Sequence, residues 1–292
     1  MDIVVTAAVE QLIKTALEED IGPGDITTMS TIAPEATATG FFRAKRDGVV
    51  AGLILLEKLF AFVDPSVRVR CLARDGDAVT KGQVVAEAHG PTRSLLLGER
   101  TALNFIQRLS GTATAARRYV DAVKDFPCKI IDTRKTTPGF RTLEKYAVRM
   151  GGGTNHRFGL YDAALIKDNH IAAAGSIAAA VRNVRGQSPF MAKVEVECTN
   201  LDQVKEAVAA GADVVMLDNM NIEQMAEAVR VVARRAAVEA SGGINMDTVR
   251  DVARTGVDFI SVGALTHSAP AVDFNMKIQP AGANKTVKGF KG

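Results

Sequence analysis

Six short apolar runs, each closed by charged, small or amide residues, constrain this chain more than any other feature. They are Lys129 to Lys135 (KIIDTRK), Ala164 to Asn169 (ALIKDN), Lys193 to Cys198 (KVEVEC), Val214 to Asn219 (VVMLDN), Ala237 to Gly243 (AVEASGG) and Phe259 to Leu265 (FISVGAL). Segments of helical period, such as 200–211 and 221–235, separate most of them. This alternation predicts an α/β fold of parallel βαβ units. Parallel strands closed into a barrel bring their C-terminal ends to one face, where catalytic groups gather. Here those ends carry Arg134, Lys135, Lys167, Asp168, Glu197, Asp218, Ser241 and Gly263. Such a cup suits a polyanion together with a divalent metal.

The chain has 292 residues, enough for a barrel and a smaller domain. Its 36 Lys and Arg stand against 33 Asp and Glu, with no dense basic cluster, so nucleic acid is not an expected partner. The three cysteines, Cys71, Cys128 and Cys198, are far apart and form no CxxC. Neither a zinc site nor a disulfide framework is expected, and a reduced, cytoplasmic compartment is. Cys198 follows Glu197 and invites a nucleophile reading; a small packed residue is the better one. The first twenty residues lack a cationic start and carry acids, unlike a signal peptide. The greasiest run, Val49 to Leu56, is far shorter than the ~20 residues a membrane helix needs, so no membrane partner is expected.

Val9, Leu12, Ile13, Ala16 and Leu17 have helical spacing, which Gly22-Pro23-Gly24-Asp25 ends. Residues 36–90 read as β-rich, with strands near 37–45, 67–71 and 84–88 and a helix over 53–62. Residues 75–87 look like the hairpin of biotinyl or lipoyl carriers. They lack a Met-Lys-Met acceptor, so a structural β-hammerhead is expected instead. Residues 95–122 read as one or two helices. From Gln279 onward a polar tail is expected to end in disorder.

Arg134 and Lys135 are adjacent, and adjacent strand residues point to opposite faces. Both reach one ligand only if the strand has already ended. Thr136 and Thr137 could add hydroxyl contacts. Gly151-Gly152-Gly153 leads into His156 and Arg157, but lacks the spacing of a dinucleotide fingerprint or a Walker loop. In a cationic barrel mouth this pair reads as a carboxylate or phosphate clamp. Glu197 and Asp218 end consecutive predicted strands and could hold Mg²⁺ or ribose hydroxyls; the plainer reading is rim salt bridges with Lys167 and Lys193. Ser241-Gly242-Gly243, before a helix expected near residue 245, and Ser261-Val262-Gly263 read as phosphate loops.

Nine pieces in order resemble the quinolinate phosphoribosyltransferases. They are EDIGPGDITT (19–28), GERTALNF (98–105), DTRKTTPG (132–139), GGGTNHRFG (151–159), LIKDNHI (165–171), VEVE (194–197), MLDNM (216–220), EASGGI (239–244) and SVGALTHS (261–268). The resemblance implies an incomplete α/β barrel over 113–270, and an N-terminal α/β sandwich over 1–112 joined by 271–292. It implies transfer of phosphoribosyl from phosphoribosyl pyrophosphate to quinolinate with Mg²⁺, giving nicotinate mononucleotide, pyrophosphate and CO₂. It also implies a homodimer, as the smallest assembly, with Arg100 reaching the neighbour's site. By the same resemblance Arg134, His156 and Arg157 bind the two carboxylates. Lys135 and Lys167 lie between the substrates. Glu197 and Asp218 hold ribose and metal. Ser241, Gly242, Gly243, Gly263 and His267 receive phosphate. Thr154 departs from the family pattern and takes no role.

Two rivals are a molybdenum-transport-associated relative of the same fold and a non-catalytic phospho-ligand binder. The cationic set Arg100, Arg134, His156 and Arg157 argues against the first. Type I phosphoribosyltransferases fail because their paired acids before Thr-Thr-Gly are absent.

Overall fold

Residues 5–282 are described by a computed structural model, and the chain divides into two units. One comprises the residues up to Thr114 together with those from Pro270; the other spans Ala115–Ala269.

In the first unit, helix Ala7–Ile21 buries Val9, Ile13 and Leu17, one residue per turn, and Thr6 caps its start. Strands β1 (Thr37–Ala44), β2 (Gly48–Val49), β3 (Arg68–Cys71), β4 (Ala78–Val79) and β5 (Val84–Pro91) follow, with the helical stretch Leu53–Val63 between β2 and β3. The main sheet is antiparallel: the C-terminal strand Phe274–Pro280, then β1, β5 and β3. On β1, Ala38, Gly40, Phe42 and Ala44 are buried, the alternation of a strand with one face in a core. Residues 92–122 form one unbroken helix, the first of the two readings left open for 95–122. Two expectations change. The 75–87 segment is no hairpin, because β4 pairs with β2 while β5 pairs with β1 and β3. Gln279 and Pro280 belong to the sheet, opposite Thr39 and Ala38, so the polar tail starts later than expected. The expected disorder at 283–292 lies outside the described residues.

The second unit holds β6 (Lys129–Ile131), β7 (Ala164–Ile166), β8 (Val194–Cys198), β9 (Val214–Asp218), β10 (Ala237–Ser241) and β11 (Phe259–Ser261). All pairs are parallel, in the order β6-β11-β10-β9-β8-β7. β6 and β7 do not pair, which leaves the barrel incomplete; a single parallel bridge from Ile131 to Thr154 extends the β6 edge. Side chains alternate across each strand. Val194, Val196, Cys198, Val215, Leu217, Val238, Ala240 and Ile260 form one core with helix residues such as Val204, Met225 and Val252. Glu195, Glu197, Met216, Asp218, Glu239 and Ser241 occupy the alternate positions, which face the barrel interior. The helix expected near residue 245 begins at Val249, because Asn245 closes a turn through Asp247 and Thr248 first. Among the described residues no helix is long and apolar enough to cross a membrane.

Candidate active site

Strand β6 stops at Ile131, so Arg134 and Lys135 stand on a loop and are free of the strand's alternation. Both line a cavity of about 240 Å³ at the C-terminal ends of the strands. His156, Arg157, Lys167, Glu197, Asp218 and Ser241 line it too, with Glu239 and Ser261. Nine of the residues singled out from sequence are therefore brought together.

The cation loop is tied down by its neighbours. Arg141 donates from Nε to Thr136 Oγ1 (2.9 Å), from Nη2 to the Arg134 carbonyl (3.3 Å) and from Nη1 to the Phe158 carbonyl (3.0 Å). Buried Glu144 accepts from the Thr137 N–H at 3.0 Å and hydroxyl at 2.8 Å. Thr266 donates to the Lys135 carbonyl at 2.7 Å. Thr136 and Thr137, expected to offer hydroxyls to an anion, therefore serve the loop itself. The guanidinium Nε atoms of Arg134 and Arg157 are buried and have no hydrogen-bond partner. Burial holds Arg157 below the ordinary guanidinium value, Arg134's charge adds to this, and Glu195 and Asp162 offset it. An anion placed between the two arginines would relieve both effects.

Asn155 and His156 are fixed from behind by a buried ion pair. Lys145 donates to Asp132 Oδ1, and both side chains have 0% exposure. Asp132 also accepts from the His156 N–H at 2.9 Å and from Asn155 Nδ2 at 2.6 Å, while Lys145 donates to the His156 carbonyl at 3.0 Å. Burial pushes the Asp132 carboxyl up and the Lys145 ammonium down, and each partner's charge works against the other's shift.

The His156 ring points at two buried acids. Its Nδ1 accepts from the Arg157 N–H at 2.7 Å. Its Nε2 lies 3.0 Å from Glu195 and 3.5 Å from Glu239. Both ring nitrogens are therefore engaged by the protein. Burial first, then Glu195's charge and hydrogen bond, hold the Glu239 carboxyl well above the usual carboxylate range; the Ser261 hydroxyl works the other way.

At the rim Lys167 forms an ion pair with Glu197, as the plainer reading had it for that acid. Lys193 instead lines a separate cavity, of about 390 Å³, that also reaches Glu195 and Glu239. Asp218 accepts from Asn219 Nδ2 at 2.9 Å. Gly242 has φ +95°, and a Cβ there would collide with Asn219. Gly263 leaves room for Lys135 and His267, each 3.2 Å from where its Cβ would stand. Gly242, Gly243, Gly263 and His267 do not line the cavity itself. Arg100 is an exposed residue of helix Thr92–Ala122, in the first unit. Cys198 is fully buried and its thiol is pushed up to about 12 by burial, which fits the packed-residue reading and not a nucleophile.

Asp132, Glu144, Lys145, Glu195 and Glu239 are the site's buried charged residues, yet none stood out in the sequence as a site residue. A usable signal was there for two of them. Glu195 sits two residues before Glu197, and Glu239 two before Ser241, so each shares a strand face with a rim residue.

Residues 25–110 match the model of the quinolinate phosphoribosyl transferase N-terminal domain and residues 112–277 that of its C-terminal domain. A probable nicotinate-nucleotide pyrophosphorylase [carboxylating] of Bacillus subtilis is 47% identical over 260 residues, covering 89% of this chain and 90% of that protein. The chloroplastic nicotinate-nucleotide pyrophosphorylase [carboxylating] of Arabidopsis thaliana is 42% identical, covering 94% and 83%. The crystal structure of NadC from Streptococcus pyogenes superposes with a TM-score of 0.92 at 43% identity, covering 96% of this chain and 99% of that one. The chain belongs to the quinolinate phosphoribosyl transferase family.

Proposed function

We propose that this enzyme transfers the phosphoribosyl group of phosphoribosyl pyrophosphate to quinolinate, releasing pyrophosphate and CO₂ and forming nicotinate mononucleotide for NAD biosynthesis. One observation carries the reading. Two buried guanidinium donors, Arg134 Nε and Arg157 Nε, have no protein acceptor, in a cup that also carries Glu197 and Asp218. Buried unpaired donors are costly, and a dicarboxylate would satisfy them.

In this arrangement Arg134 and Arg157 take the acceptor's carboxylates, with His156 behind them. Lys135 and Lys167 lie between acceptor and donor and offset the repulsion between two anions. The ring nitrogen's lone pair forms the bond to the ribosyl carbon as the bond to pyrophosphate breaks. Positive charge develops on the sugar, where Glu197 and Asp218 stabilise it. The alkylated nitrogen is then cationic. Its charge stabilises the electron pair left on the adjacent ring carbon when the 2-carboxylate departs as CO₂, and that pair then takes up a proton. Ser241, Gly242, Gly243, Gly263 and His267 serve the phosphate.

Hard carboxylate oxygens fit Mg²⁺, which commonly takes one or two protein carboxylates and completes its shell with substrate phosphates. Glu197 and Asp218 would hold it, with Lys167 yielding its contact to Glu197. When bound, Mg²⁺ supplies charge to the leaving pyrophosphate.

The working assembly in this reading is a homodimer in which Arg100 enters the partner's cup, and the compartment is the cytoplasm, as three free cysteines suggest. Arg100→Ala and Lys135→Ala are each expected to be inactive. Mixed under verified subunit exchange they should regain activity through dimers with one intact site; no recovery removes the shared-site claim.

The deciding assay combines the full chain, phosphoribosyl pyrophosphate and Mg²⁺ with quinolinate or nicotinate. Quinolinate is expected to exceed nicotinate by about 10²-fold or more in kcat/KM, since the monoacid leaves a cation unpaired. Equal use of the two acids, or no product from quinolinate, overturns the assignment.

A further inference from the structure

Glu195 and Glu239 lie in the barrel interior, on β8 and β10, with side chains 7% and 3% exposed. Isolated acids at such depth are unfavourable and persist where something offsets their burial. Each keeps one oxygen, Oε1, without a partner, so they are not closed into a fully bonded network. Their other oxygens both aim at His156 Nε2, at 3.0 and 3.5 Å. The opposite ring nitrogen accepts the Arg157 N–H at 2.7 Å, so that nitrogen carries no proton and Nε2 carries one. A directed chain results: carboxylate, imidazole, backbone N–H of Arg157. At its far end is the guanidinium with an unpartnered Nε.

We infer that Glu195, assisted by Glu239, is a positioning residue that acts through the His156 ring to set Arg157 for the acceptor's carboxylates. The inference rests on the proposed acceptor subsite, and it assigns His156 to aligning its neighbour. A neutral aliphatic in place of Glu195 leaves the Nε2–H without its nearer acceptor. On that side the ring then keeps only Glu239, at 3.5 Å, and its hold on Arg157 loosens. Donor binding is not touched by this chain of contacts, which gives the idea a signature that mere structural damage lacks.

The test compares Glu195→Leu, which removes the acceptor oxygen, with Glu195→Gln, which keeps one. Glu195→Leu is expected to raise the KM for quinolinate by about tenfold or more while the KM for phosphoribosyl pyrophosphate stays within about twofold. Glu195→Gln should stay within about threefold of the wild type in both. An unchanged quinolinate KM in the Leu variant, a parallel rise in both KM values, or a Gln variant as impaired as the Leu variant overturns the inference. Calorimetric titration with phthalate, a non-reacting vicinal aromatic dicarboxylate, reads the same subsite without turnover. Weakened phthalate binding in Glu195→Leu supports the inference even if the wild type makes no nicotinate mononucleotide, an outcome that refutes the proposed reaction alone. Absence of phthalate binding to the wild type refutes the subsite and the inference with it. Should Glu195→Leu fail to fold, long-range ¹H–¹⁵N spectra of the wild type decide. The chain has four histidines, and His156 is assigned by its loss in His156→Gln. A His156 proton on Nε2 alone supports the inference; a proton on Nδ1 overturns it.

Discussion

Two buried charge groups grip the same residue, His156, and they are built differently. Behind it, Asp132 and Lys145 form a closed set. Both Asp132 oxygens accept hydrogen bonds, and Lys145 also donates to the His156 carbonyl. In front, Glu195 and Glu239 each keep an unpartnered oxygen beside the His156 ring. The closed set uses its bonding capacity on itself, on the Asn155 side chain and on the His156 backbone. The open set retains capacity next to the chemistry. Buried polarity that is fully spent holds a loop in place, while buried polarity left unspent lines a site where ligands and positioning groups act.

Breaking the closed set should have the largest effect on stability. Lys145→Met removes the ammonium and leaves Asp132 buried without its counter-ion. The expected loss is about 3–5 kcal/mol, measured by urea unfolding. A loss below about 1 kcal/mol would place this pair with exposed salt bridges and end the contrast.

Asp218→Asn probes the mouth of the open region, where charge should matter to the reaction more than to the fold. A drop of about 10²-fold or more in kcat is expected, with little change in the quinolinate KM or in the unfolding midpoint. If kcat stays within about threefold of the wild type across a Mg²⁺ titration, Asp218 is a structural rim residue.

The smallest effect concerns Glu239 and pH. Its carboxyl is held well above the usual range, chiefly by burial, so the folded state binds the proton more tightly than the unfolded state does. The sign follows from linkage: this contribution to stability is full below the ordinary carboxylate value and is lost as pH rises through the raised folded value. Glu239→Gln cannot ionise and should escape that loss. Between about pH 5 and pH 9 its Tm should fall less than that of the wild type. Parallel Tm curves would mean that Glu239 ionises in the folded state as easily as in the unfolded one.

Most of the site residues legible in the sequence ended an apolar run, His156 and Arg157 after the glycine run being the exceptions. Arg134, Lys135, Lys167, Glu197, Asp218 and Ser241 did, and all six line one cavity. Glu195 and Glu239 sit inside such runs, where an acid between valines and alanines looks like a strand's solvated face. In a barrel that face is the interior. Lys145 stands in a helix of ordinary charged composition, Arg141–Met150, and its full burial follows only from the Asp132 carboxylate across from it. The 75–87 misreading has a related cause: adjacent extended pieces suggested a hairpin, but β4 and β5 found different partners.

The sequence by itself determined the parallel α/β unit, because alternation of apolar strands with amphipathic helices admits few other packings, and it determined the family, through nine pieces in order. Tertiary structure decided which polar groups are spent and which remain available. Helix and strand period are local properties, set by neighbours three or two residues away. Whether a carboxylate or guanidinium has a partner depends on strands and loops tens of residues apart. His156 shows the difference. Its place beside a glycine run and before Arg157 marked it for the site, but only the fold set its ring nitrogen against Glu195 and Glu239.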